Sequence, residues 1–215
     1  MKIKGAIFDM DGTLLESMHI WETVGSDYLK SQGIGPAEDL RERIKTLSLR
    51  DCATYFYEQY TLDLPIEEIM TGINNTIAGF YANEVWLKPG ALQLLEKLEQ
   101  QGVQMCIATA TDRVLVESAL ERTNIRHFFG EILTCTEVGA GKENPLIFEK
   151  ALDVMGVNKT ETVLFEDALH AIETAKKAGF TVIAVHDLSA EQNKGEIKQL
   201  ADYYYESLEE IHLFD

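Results

Sequence analysis

Short apolar runs alternate with helical patterns along most of this chain, and that alternation admits few folds. The runs lie at 3–8, 103–109, 131–135, 162–165 and 181–185. They are rich in β-branched and aromatic residues and bordered by turn or capping residues, as buried strands are. Helical patterns fill the gaps at 91–101, 112–122, 145–155 and 168–178. In the first, Leu92, Leu95 and Leu98 are expected on one face with Gly102 as the stop, and Gly179 closes the last. Such alternation implies βαβ units. The expected class is α/β: a Rossmann-like parallel sheet with helices on both faces, binding ligands beyond the C-terminal ends of its strands.

One stretch departs from the pattern. Residues 17–86 hold helical patterns at 18–32, 36–45, 48–60 and 65–81 and no convincing strand, and Pro89-Gly90 marks the return. The expected organisation is a core made of 1–16 and 87–215 with a helical domain, 17–86, inserted after the first strand. Near the C-terminus, Tyr203 to Tyr205 reads as a short edge strand and 207–211 as a final helical turn.

Composition narrows the partners. With 215 residues, 46% hydrophobic, the chain has enough apolar surface for a globular core. A formal net charge of −17 repels nucleic acid phosphates and anionic membranes, so neither is an expected partner. An anionic small substrate would need concentrated local positive charge. Cys52, Cys106 and Cys135 form no CxxC pair, and their odd number argues against a disulfide framework. No apolar run has signal-peptide or membrane-spanning character. The expectation is a reduced cytoplasmic protein, a monomer or weak homodimer.

The most informative run is Phe8-Asp9-Met10-Asp11-Gly12-Thr13, at the end of the first strand. Three readings compete for it. A type I′ or II′ hairpin turn would use Asp11-Gly12 and make the carboxylates incidental. A calcium loop would need further oxygen ligands at regular spacing, which are missing. A magnesium-assisted site would use one carboxylate as nucleophile and the other as acid/base. Thr109, in Ala108-Thr109-Ala110-Thr111-Asp112, ends the second strand, where a hydroxyl and backbone N–H groups suit a phosphate oxygen and also suit a helix cap. Lys142 stands in the glycine-rich run Gly139-Ala140-Gly141-Lys142, but Thr136 and Glu143 break a Walker A loop. Glu166-Asp167 ends the fourth strand, where adjacent acids are costly unless a cation compensates. Each signal is weak by itself. Their order along parallel strands brings all four to one sheet edge. His19, His127, His170, His186 and His212 show no metal-ligand spacing.

This constellation resembles the haloacid dehalogenase-like superfamily over essentially the whole chain. Asp9-Met10-Asp11-Gly12-Thr13 matches its first motif, Thr109 the second, Lys142 the third and Glu166-Asp167 the fourth. Residues 17–86 resemble the C1-type cap, and the nearest subgroup includes β-phosphoglucomutase and phosphoglycolate phosphatase-like enzymes. Where the third motif usually runs Lys-Pro-x-Pro-Asp, this chain has Lys142-Glu143-Asn144-Pro145-Leu146. Where the fourth runs Glu-Asp-Ser-x-x-Gly, it has Glu166-Asp167-Ala168-Leu169-His170-Ala171. These departures keep the acids and the lysine and change the loops around them.

The resemblance implies a Mg²⁺-dependent phosphohydrolase acting on a small phosphorylated metabolite. Asp9 would be the nucleophile that becomes an aspartyl-phosphate, and Asp11 the acid/base. Thr109, Ala110 and Lys142 would hold phosphoryl oxygens. Mg²⁺ would take Asp9, the Asp11 carbonyl and Asp167, with Glu166 a direct ligand or one step behind. Glu16, Met18, His19 and Trp21 stand at the entry to the cap; Glu16, Trp21 and Arg50 are the candidate substrate contacts. The run from Lys45 to Asp51 resembles the specificity loop of the β-phosphoglucomutase type, which carries a glycine near Thr46 and a phosphate-binding arginine near Leu49. Leucine cannot bind phosphate, and Arg50 is turned about 100° away on a helix, which argues against a mutase. The acid at Asp11 argues against a dehalogenase. The alternatives are a β-phosphoglucomutase-like phosphoryl transferase and, in another class, a non-catalytic binding protein on the same fold.

Overall fold

The structure is a computed structural model that describes residues 3–45 and 47–212. β1 (Gly5–Phe8) leads into five helices: α1 (Met18–Trp21), α2 (Val24–Ser31), α3 (Leu40–Ile44), α4 (Leu49–Tyr60) and α5 (Ile66–Asn83). Then come α6 (Ala91–Gln100), β2 (Gln104–Thr109), α7 (Arg113–Arg122), β3 (Glu131–Thr134), α8 (Cys135–Val138) and α9 (Leu146–Met155). The chain closes with β4 (Thr162–Glu166), α10 (Leu169–Lys177), β5 (Thr181–Val185), α11 (Lys194–Leu200) and β6 (Tyr203–Tyr205).

The strands form one parallel sheet in the order β3-β2-β1-β4-β5-β6. Chain direction across the sheet reverses at β1, so the crevice beyond β1 and β4 is the switch point where such sheets bind ligands. Phe8 lies level with Ile107 of β2 and Phe165 of β4. Asp9, Thr109 and the pair Glu166-Asp167 therefore leave the sheet at nearly one height. Successive β1 side chains serve opposite faces. Ala6 and Phe8 join a core that runs through Met10 and Leu14 into Tyr28, Phe56 and Tyr81 of the helical segment. Ile7 joins the other, with Phe148 of α9 and Ile172 of α10. The α/β class is as expected.

Several local expectations are corrected. The single helix expected over 18–32 is two, α1 and α2, with Glu22 and Thr23 between them, and α2 turns Val24, Tyr28 and Leu29 inward. The helix expected over 36–45 shortens to α3, with Asp39 outside it. The third strand stops one residue early, since the Thr134 hydroxyl accepts the Glu137 N–H (3.2 Å) and starts α8. In α6 the buried stripe is Ala91, Leu94, Leu95 and Leu98, with Leu92 exposed. An i, i+3, i+4, i+7 set holds one helix face, whereas three-residue steps drift off it.

Two stretches of linker join the helical segment to the sheet. Glu16 N–H donates to Trp86 O (2.9 Å) and Lys88 N–H to Leu14 O (2.8 Å), so the outgoing and returning chains form a short antiparallel ribbon. Lys88 anchors the return. Its buried ammonium donates to the His186 carbonyl (2.8 Å) and to Asp187 Oδ2 (2.7 Å), beyond β5.

Candidate active site

β1 runs straight into the motif. Gly12 N–H donates to Leu15 O (3.1 Å), and Gly12 has φ +84°. Asp11-Gly12 thus does open a turn, and the same turn presents the carboxylates. It is not a hairpin turn, because β1 pairs only with parallel strands. A Cβ at Gly12 would lie 2.5 Å from Asp167 Oδ2, so only glycine lets the β1 and β4 acids approach. Thr13 adds a tie, donating to Asp167 Oδ1 (3.0 Å).

Asp9, Thr109, Lys142, Glu166 and Asp167 are all buried together. The Lys142 ammonium donates to Asp9 Oδ1 and to Glu166 Oε2 (2.8 Å). Glu166 Oε1 also accepts the backbone N–H groups of Asp167 and Ala168 (3.2 Å each). That carboxylate is thus fully engaged with the protein and fixes Lys142. One oxygen from each of Asp9, Glu166 and Asp167 lies within 4.8 Å of the others. Burial pushes the Asp9 carboxyl up to about 6 against the pull of Lys142. Burial, with Glu166 and Asp9 next, holds Asp167 well above the usual carboxylate range. Burial disfavours the Lys142 ammonium, yet Asp9 and Glu166 hold its pKa above the ordinary lysine value. Three buried carboxylates lie beside one lysine that pairs with two of them, Asp9 and Glu166, and such a set of hard oxygens suits a divalent cation. At the β2 end, Thr109 Oγ1 accepts the Thr111 N–H (3.1 Å), and Ala110 is exposed beside it.

Asp11 is held differently. Three hydroxyls point at its carboxylate: Ser17 on Oδ1 (2.6 Å), Thr111 on Oδ2 (2.6 Å), and Tyr81 on Oδ1. Trp21 Nε1 in turn donates to the Tyr81 hydroxyl (2.7 Å). Burial and then the Asp9 charge raise the Asp11 carboxyl, against these hydroxyls. Sequence reasoning missed all three of these hydroxyls as partners of Asp11. Tyr81 shares a buried face of α5 with Ile73 and Ile77 and reads as core.

The candidates from the helical segment separate. Trp21 reaches the site through Tyr81. Glu16 is exposed in a groove of about 460 Å³ with His19, Trp86 and Arg122. His19 packs edge-on against Phe80 (5.0 Å). Met18 approaches Gly12, its Cγ 2.9 Å from where a Cβ would stand. Arg50 is 53% exposed and pairs with Glu67 (3.2 Å), so the structure does not bring it to Asp9. Thr46 lies outside the described residues. No described helix is long and apolar enough to cross a membrane.

A family model described as haloacid dehalogenase-like hydrolase matches residues 6–185. The phosphorylated carbohydrates phosphatase of Thermotoga maritima is 25% identical over 189 residues, 87% of this chain and 88% of that protein. Protein CbbY of Rhodobacter capsulatus is 25% identical, over 94% of this chain and 92% of that one. Among solved structures, a mutant CbbY of Rhodobacter sphaeroides with xylulose-(1,5)bisphosphate superposes with TM-score 0.86 at 24% identity, covering 98% of this chain and 96% of that chain. The acids, lysine and switch-point crevice, with a family match over most of its length, place this chain among the haloacid dehalogenase-like hydrolases, as a phosphatase.

Proposed function

We propose that the enzyme hydrolyses the phosphate monoester of a small metabolite through an aspartyl-phosphate on Asp9, with residues 17–86 acting as a cap. The convergence of Asp9, Lys142, Glu166 and Asp167 in one buried cluster beside Asp11 carries this reading. Asp9 attacks phosphorus in line; its O–P bond forms as the ester P–O bond breaks. Asp11, whose carboxyl is biased toward the protonated form, gives its proton to the leaving oxygen. It then takes a proton from the water that attacks the phospho-aspartate, and inorganic phosphate leaves with Asp9 restored. Lys142 and Thr109, with the amides near Ala110, hold the non-bridging oxygens as charge shifts.

Asp9, Asp167 and the Asp11 carbonyl would hold Mg²⁺, which would neutralise phosphoryl charge when bound. Glu166, already engaged by three N–H donors, acts one step behind, orienting Lys142. Exposed Arg50, paired with Glu67, gives no support to the mutase reading.

The test is phosphate release from p-nitrophenyl phosphate and a metabolite panel, with Mg²⁺ or EDTA. Release that needs the metal and vanishes in Asp9→Asn is the expected result. No release from any ester by folded, Mg²⁺-binding protein overturns the reading.

A further inference from the structure

An aspartate at a helix N-cap ordinarily spends its carboxylate on the free N–H groups of the first turn. Asp112 stands at the N-cap of α7 with extended backbone (φ −68°, ψ 146°), yet its side chain accepts no hydrogen bond from that turn. Its two oxygens go elsewhere. Oδ1 accepts the Thr136 hydroxyl of α8 (2.7 Å), and Oδ2 accepts the Asn74 amide of α5 (2.7 Å). Both donors are neutral. The neighbouring cation, Arg113, is occupied by Glu137 (2.5 Å), Glu117 (3.5 Å) and the Ile132 carbonyl (2.7 Å). A carboxylate that forgoes its local cap for a partner 38 residues away ties two parts of the chain together.

Those parts are the helical segment and the loop assigned above to the phosphoryl oxygens. Asp112 closes the run Thr109-Ala110-Thr111-Asp112 at the C-terminal end of β2. Within that run the Thr111 N–H donates to Thr109 Oγ1 (3.1 Å) and the Thr111 hydroxyl to Asp11 Oδ2 (2.6 Å). α5 meets this region twice, through Tyr81 on Asp11 and Asn74 on Asp112. Seven residues separate Asn74 from Tyr81, which puts them on nearly one helix face and about 10 Å apart along its axis. Ser17 and Tyr81 on Asp11, and Arg122 on the Val85 carbonyl (3.0 Å), also cross from the helical segment to the sheet side, but at or beside the linkers. Asn74 lies nine residues before the end of α5, about 13 Å up the helix. A rotation about the linkers moves that contact further than the others.

Resting on the phosphatase reading above, we propose that Asn74 and Asp112 are positioning residues for the phosphoryl-binding loop. Their hydrogen bond seats α5 on Asp112 when the helical segment closes, and it fixes the backbone from Thr109 to Asp112 in the form that receives phosphoryl oxygens. Thr136 holds the same carboxylate from the sheet side, so the loop has one anchor that stays and one that arrives with the cap. Neither side chain touches the substrate. Closure and phosphoryl binding are coupled through this contact, each strengthening the other.

The experiment is a double-mutant cycle read by kcat and KM on p-nitrophenyl phosphate with Mg²⁺, by the Ki of orthophosphate, and by thermal melts. Asn74→Asp sets two carboxylates at hydrogen-bond distance, where they repel. It is expected to lower kcat/KM about tenfold and to raise the orthophosphate Ki in step. Asp112→Asn is expected to lose less than about threefold, because an asparagine there can accept from Asn74 through Oδ1 and donate to Thr136 through Nδ2. Adding Asp112→Asn to Asn74→Asp restores a donor opposite the new carboxylate and is expected to recover kcat/KM and Ki to within about threefold of wild type. A double variant as poor as Asn74→Asp, or losses that simply add, overturns the inference. So does a loss in Asn74→Asp that appears in the melting temperature with Ki left at the wild-type value, since that marks a purely structural contact. Should Asn74→Asp fail to fold, Asp112→Ala removes the acceptor without adding a charge, and α7 loses no side-chain cap by it. Its Ki is expected to rise about fivefold, and a wild-type Ki in that variant overturns the inference. Normal wild-type turnover with no effect of either substitution overturns this inference alone. No release from any ester by the wild type overturns the phosphatase reading, and this inference with it.

Discussion

Tyr81 reaches from the last turns of α5 to the carboxylate of Asp11, seventy residues away in sequence. Its hydroxyl, oriented by Trp21, holds the carboxylate proposed as the acid/base group. Removing that hydroxyl in Tyr81→Phe is expected to lower kcat about tenfold, roughly 1.4 kcal/mol of barrier. The loss should be larger for an alkyl phosphate than for p-nitrophenyl phosphate, whose leaving oxygen needs little protonation; steady-state kinetics on the two esters decides it. Asp167→Asn removes a proposed metal ligand and leaves the Lys142 pairs in place. Mg²⁺ is expected to raise the melting temperature of the wild type, because a ligand that binds only the native state stabilises it, and to raise that of the variant far less. Differential scanning fluorimetry with and without EDTA makes the comparison. At this scale the sequence showed the acids and Lys142 through their order after strands. It could not show Ser17 and Tyr81 converging on Asp11, because a hydroxyl on a helix carries no mark of what lies across the interface.

At the scale of elements, the linkers matter most. The returning linker is clamped to the end of β5 by Lys88 and Asp187, whose side chains are only 8% and 7% exposed. Burial works against the Asp187 carboxylate, but hydrogen bonds from Lys88 and Ser189 outweigh it and lower its pKa. A depressed carboxylate stabilises the fold fully above its unfolded pKa of about 3.9 and loses that contribution as pH falls through the lower folded value. Lys88→Met leaves Asp187 buried without its cation and is expected to cost about 3–5 kcal/mol, a drop of roughly 10 °C in melting temperature at neutral pH. As pH falls through the depressed Asp187 value, so that the carboxyl protonates in both proteins, the gap should narrow. Thermal melts across pH check both. Pro89-Gly90 marked this junction in the sequence, and Gly90 has φ +84° with a Cβ position 2.4 Å from the Glu209 amide nitrogen. The clamp itself was invisible, since Lys88 and Asp187 are brought together only by the sheet order.

The whole molecule joins two cores across one sheet, and all three cysteines lie inside. Burial pushes the thiols of Cys52 and Cys106 up to about 12 and that of Cys135 up to about 11. The thiolate is the reactive form. Native protein at pH 8 is therefore expected to resist iodoacetamide, and unfolded protein to take up three equivalents; intact-mass spectrometry reads both. In the proposed mechanism a chain of formal net charge −17 receives the anionic phosphoryl group at the buried cluster, where a lysine and a bound cation offset that charge. That distribution explains why a strongly acidic protein suits a phosphate ester.

The alternation of apolar runs and helical patterns determined the α/β class, because strand and helix periods are local properties that burial on two sheet faces makes legible. The order of Asp9, Thr109, Lys142 and Glu166-Asp167 followed from the same logic, since parallel strands send their C-terminal ends to one edge. Tertiary structure alone decided that Glu166 is saturated by N–H donors, that Arg50 pairs with Glu67 at the surface, and that Tyr81 and Asn74 meet Asp11 and Asp112. Each of these joins residues far apart in the chain, and a contact between two helices or across a domain seam depends on how they pack rather than on the sequence of either.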